Sequence, residues 1–85
     1  LDIAAVPALQ RMTHLPIIID PSHAAGLTYM VMPLARASIA VGADGLIVEV
    51  HDDAANAYSD GQQALHPDQL AQLMLESAKI QEVIA

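Results

Sequence analysis

Leu15-Pro16-Ile17-Ile18-Ile19-Asp20-Pro21-Ser22-His23 and Gly45-Leu46-Ile47-Val48-Glu49-Val50-His51 are the stretches that decide how this chain folds. Each begins as a short apolar run and ends in groups that can bind a cation or move a proton. Residues 15–20 hold three consecutive Ile; the run is too short for a helix and rich in β-branched side chains, so it predicts a buried strand. Asp20-Pro21 ends it, because a residue before proline is held extended and proline brings no N–H. Residues 45–50 predict a second strand on the same grounds. Apolar runs without polar alternation suit parallel strands that are dry on both faces.

Helical patterns surround the two runs. In residues 1–14, Pro7 fits a first helical turn and Val6, Leu9 and Met12 form one apolar stripe, with His14 closing the segment. Pro21 to Gly26 is expected to be a loop. Thr28 to Val41 predicts a second helix with Val31, Leu34, Ala35, Ser38 and Val41 inside and Arg36 outside. Pro33 within it fits only the first turn or a kink, and Gly42 supplies a stop at the position after the helix. Residues 51–66 predict a long polar loop. Pro67-Asp68 then opens a last helix with an apolar stripe of Leu70, Leu73, Met74, Ile80 and Ile84. Met30, Met32 and Met74 are expected to fill the core. The predicted order is α-β-α-β-α, the βα repeat of an α/β fold with a parallel sheet. Two strands do not make a stable sheet alone. The 85 residues therefore suggest one piece of a larger domain, or copies that associate through open strand edges into a homo-oligomer.

Composition narrows the function. The net charge is −7 and only Arg11, Arg36 and Lys79 are basic. That balance argues against nucleic acid and against an anionic membrane surface. No run approaches the ~18 apolar residues that suggest a membrane span, and no signal peptide is evident, so the expected location is the cytoplasm. The absence of Cys excludes disulfides and thiolate metal ligands within this chain. There is no GxGxxG motif, P-loop lysine or GxSxG elbow.

His23, Glu49 and Asp60 are the candidate metal ligands. Parallel strands lie about 4.8 Å apart, so residues at their carboxyl ends can converge on one ion. Imidazole and carboxylate donors without thiolate suit Mn, Fe, Co or Zn alike. The plainer reading of His23 is a hydrogen-bonded loop residue, and of Asp60, before Gly61, a turn residue. Glu49 is harder to dismiss, because a carboxylate in an apolar strand demands a cation or a proton. His51 is a candidate catalytic group whose plainer reading is a solvated loop histidine. Asp20 either orients a catalytic group or caps the loop at Pro21, and Asp52 and Asp53 fit a solvated acidic loop.

Leu1-Asp2-Ile3-Ala4-Ala5-Val6-Pro7, His14 through Gly26, Pro33-Leu34-Ala35-Arg36-Ala37, Gly42 through His51 and Ala57-Tyr58-Ser59-Asp60-Gly61 together resemble the 3-deoxy-D-arabino-heptulosonate 7-phosphate (DAHP) synthases. The likeness is to the short bacterial form, sometimes fused to chorismate mutase, and is weakest in the last helix. It implies the C-terminal portion of a TIM (β/α)8 barrel, with the strand ending at Asp20 seventh and that ending at Glu49 eighth. It implies condensation of phosphoenolpyruvate with erythrose 4-phosphate, which opens aromatic (shikimate) biosynthesis. It also implies a divalent metal held by His23, Glu49, Asp60 and a Cys on an earlier strand. Leu27 and Thr28 stand where the family commonly has basic residues, and Asp52 and Asp53 where it commonly has Pro. The 85-residue piece by itself is expected to be inactive. A related synthase making an octulosonate 8-phosphate, or a self-associating non-catalytic piece, are the alternative readings.

Overall fold

Parallel strands need a long crossover between them, and the residues joining the two Ile/Val-rich runs include a helix that supplies it. The computed structural model describes residues 2–21, 28–51 and 64–85. Their elements are α1 (Ala5–Met12), β1 (Ile18–Ile19), α2 (Thr28–Ala40), β2 (Gly45–Leu46) and α3 (Pro67–Ile84). β1 and β2 pair in parallel, with Ile18 opposite Gly45 and Ile19 opposite Leu46.

The regular strands are shorter than the predicted 15–20 and 45–50. Pro16 has no N–H to give a ladder, and Asp20 is held by the following Pro21, which is helical where a loop was expected. Backbone bonding nonetheless runs past the strand ends: Asp44 N–H donates to the Ile17 carbonyl at 2.9 Å and Ile47 N–H to the Ile19 carbonyl at 2.8 Å. Further on, Val50 bridges Leu65 in parallel.

α1 starts where Asp2 Oδ1 accepts the Ala4 N–H at 3.1 Å, and it stops at Thr13, which is extended. Of its predicted stripe only Val6 is buried; Met12 is 79% exposed, because no described element covers that end of the helix. α2 runs through Pro33 rather than ending there, and Pro33 lies on its exposed side. The helix ends as expected at Gly42, whose φ of +105° a residue with a side chain rarely adopts. Gln10 of α1 reaches across and donates to the Gly42 carbonyl at 2.7 Å.

α2 and α3 pack against each other, and α2 also meets β2. Val31, Ala35, Leu65 and Leu73 form the core, with Met32, Leu46 and Val48 against it. Ser38 is buried too, and its hydroxyl donates to the Leu34 carbonyl at 2.8 Å, which satisfies it without a partner from another element.

Four packing expectations need correction. Arg36 does not face outward alone: it points at α3, where Nε and Nη2 lie 3.2 and 3.1 Å from Glu76 Oε1. Ile39, absent from the predicted inner face, is buried. Ala64 and Leu65, placed in a polar loop, are buried; Leu65 is the one large aliphatic residue in 51–66, and its burial outweighs loop character. Met74 is not core filler but 66% exposed. It lines a groove of about 310 Å³ between β2 and α3, with Leu46, Val48, Leu70 and Leu73 on its walls.

α3 opens with Pro67 at its first turn and Asp68 beside it. Gln69 Oε1 accepts the His66 N–H at 2.8 Å, which closes the entry turn. Among the described residues, no helix is long and apolar enough to cross a membrane.

Candidate functional site

Parallel pairing forces the carboxyl ends of β1 and β2 to the same edge, and that edge collects the polar groups. Asp20 follows β1 directly and is half-buried, while Glu49 and His51 follow β2. The backbone around Glu49 and His51 is held from a third direction: Leu65 N–H donates to the Glu49 carbonyl at 2.8 Å, and His51 N–H donates to the Leu65 carbonyl at 2.9 Å. This rung keeps residues 49–51 extended, and in extended chain residues two apart share a face. Glu49 and His51 therefore point the same way and Val50 the other. Glu49 is half-buried and His51 exposed.

His23 and Asp60 lie outside the described residues. Among the described residues, no three His, Cys, Asp or Glu side chains cluster closely enough to hold a metal. What the fold places at one edge of the sheet is two carboxylates and one imidazole, of which Glu49 is the expected ligand. Their chemistry, oxygen and nitrogen without sulfur, fits a divalent cation of the Mn, Fe, Co or Zn kind. Glu49 follows the apolar residues Leu46, Ile47 and Val48, and a carboxylate there is well suited to a cation.

The sequence did not point to Leu65 as part of this arrangement. The signal was available, since Leu65 is the one large aliphatic residue in 51–66, but the backbone bonds of Leu65 carry no signature in residue type.

A family model described as the DAHP synthetase I family matches residues 1–85. The phospho-2-dehydro-3-deoxyheptonate aldolase of Thermotoga maritima is 48% identical over 84 residues, which are 99% of this chain and 25% of that protein. Its crystal structure superimposes with a TM-score of 0.94 over 99% of this chain. A truncated form of the same synthase gives 0.94 as well, with 32% of that chain covered. The 2-dehydro-3-deoxyphosphooctonate aldolase of Helicobacter pylori is 52% identical over 50 residues, 59% of this chain and 18% of that protein. The chain thus spans about a quarter of the length of the Thermotoga relative it matches.

Proposed function

The chain belongs to the DAHP synthetase I family, and from that premise we propose that residues 1–85 form the carboxyl-terminal part of a TIM-barrel synthase. β1 and β2 would be its seventh and eighth strands. The whole protein would condense phosphoenolpyruvate with erythrose 4-phosphate in the cytoplasm, as the first step of aromatic biosynthesis. The observation that supports this best is the placement of Asp20, Glu49 and His51 at the carboxyl edge of adjacent parallel strands, where barrel enzymes build their sites.

His23, Glu49 and Asp60 would hold a divalent metal, with a Cys from an earlier strand as the further ligand that the family likeness implies. When bound, such an ion supplies Lewis-acid polarisation of the sugar aldehyde or of the attacking water. Glu49 contributes a carboxylate fixed by the backbone rung to Leu65. His51, on the same face and open to solvent, exchanges a proton at its ring nitrogen with the reacting groups. Asp20, directly after β1, would orient a neighbouring ligand. Basic groups for the two phosphates would come from other strands, since this chain has three Lys and Arg in all. Copies of the whole protein would form a homo-oligomer.

The likeness to the Helicobacter protein supports a second reading, a synthase that makes an eight-carbon product. Carbon counting separates the two. A three-carbon phosphoenolpyruvate needs a four-carbon aldose phosphate to give a heptonate and a five-carbon one to give an octonate. In the full-length protein, phosphate release with the four-carbon sugar, and not with the five-carbon sugar, is the expected result; the reverse would replace the first reading by the second. Glu49→Gln is expected to weaken Mn²⁺ binding, followed by electron paramagnetic resonance, by more than the roughly 10–100-fold seen on losing an outer-sphere partner. Unchanged Mn²⁺ affinity in Glu49→Gln would remove Glu49 from the ligand set.

A further inference from the structure

At the edge of the sheet opposite the candidate site, Asp44 engages both backbone groups of Ile17. Its N–H donates to the Ile17 carbonyl at 2.9 Å, and its carboxylate Oδ2 accepts the Ile17 N–H at 2.7 Å. The carboxylate takes the acceptor role that a further rung of ladder would give a carbonyl, and hydrogen bonds to an ionised acceptor are the stronger kind. Asp-Gly is by default a turn pair, and Asp44 is exposed, so nothing about burial demands this residue there.

Gly45 faces Ile18. A slip of one residue would set Asp44 or Leu46 against Ile18 and would take the carboxylate away from Ile17. A slip also turns every side chain to the other face of the sheet. The regular ladder is two residues long on each strand, so the bonds that extend it, those between Asp44 and Ile17 among them, add to what holds the register.

We propose that Asp44 is a positioning residue for the candidate site. By clamping Ile17 it sets the register of β1 on β2, and so fixes the offset between Asp20 on one strand and Glu49 and His51 on the other. The inference rests on the reading that Glu49 is a metal ligand and that Asp20 and His51 act beside it.

Asp44→Ala and Asp44→Asn in the full-length protein test it, read by amide hydrogen exchange at Ile47 and by Mn²⁺ affinity. Asp44→Ala is expected to speed exchange at Ile47 and to weaken Mn²⁺ binding about 10-fold. Asp44→Asn should restore both, because its amide oxygen accepts the same bond without the charge. Unchanged exchange in Asp44→Ala overturns the proposal. So does raised exchange with unchanged Mn²⁺ affinity, or an Asn variant as impaired as the Ala variant. If Asp44→Ala does not fold, Asp44→Glu replaces it: the extra methylene misplaces the acceptor while keeping the charge, so Glu should fall below Asn, and the opposite ranking refutes the clamp. A wild-type protein without Mn²⁺ affinity defeats the metal reading alone. Exchange at Ile47, raised in Ala and restored in Asn, then decides for Asp44, and any other pattern decides against it.

Discussion

The half of the molecule built on β2 and the half built on β1 hold similarly apolar residues, yet they end in different environments. Around β2, the residues Val31, Ala35, Leu65 and Leu73 are almost wholly enclosed. Around β1, Met12, Leu15 and Ile18 keep half or more of their surface open, and only Val6 and Pro21 are deeply buried. The cause is coverage. β2 has α2 and α3 against it, whereas among the described residues β1 has only β2 beside it and α1 nearby. A side chain's hydrophobicity decides whether burial is favourable; neighbouring elements decide whether it happens. Open apolar flanks of this kind match a segment of the proposed barrel, whose further strands and helices would lie against them.

Three substitutions measure this difference, each by urea denaturation of the chain. Leu65→Ala should be the most damaging, because Leu65 is fully enclosed in the core; truncating such a residue costs roughly 2–5 kcal/mol. Arg36→Ala should lose about 1 kcal/mol or less. Its guanidinium meets Glu76 across the α2–α3 interface but is 43% exposed, so water screens the pair. Raising the salt concentration should shrink even that loss. Leu15→Ala should stay within about 0.5 kcal/mol, as surface substitutions do, since its side chain is 61% exposed. A loss at Leu15 equal to that at Leu65 would break the comparison and show that the flank of β1 is covered in solution. Repeating Leu15→Ala in the full-length protein sharpens it: a larger loss there would report the element that covers β1.

Much of the fold was legible because local chemistry and tertiary packing agree. The Ile and Val runs pair in parallel as their composition suggests, Gly42 terminates α2 with a positive φ, and Pro67-Asp68 begins α3. Readings failed where a partner element decides the outcome. Arg36 was read as outward-facing because a charge seeks water, but Glu76 lies forty residues further along the chain and no spacing rule connects them. Met12 belongs to an apolar stripe and Met74 was expected to fill the core, yet both are exposed, because periodicity finds a face and not what stands opposite it. The candidate site was legible through its residue types: Asp20, Glu49 and His51 stand where the strand ends were expected to put them. Leu65 acts through its backbone groups, which every residue carries, and the carboxylate of Asp44 meets a backbone N–H that no residue type marks.

The rung between Leu65 and residues 49–51 has a consequence for how such proteins diversify. It ties the two ends of the intervening chain to each other by two backbone bonds, so Glu49 and His51 are held from outside that stretch. Closing a longer loop between fixed ends adds only about 0.6 kcal/mol for each doubling of its length. Changes of length between His51 and Leu65 can therefore accumulate at small thermodynamic cost, so long as the carboxylate of Asp60 is kept, while the backbone under Glu49 stays in place.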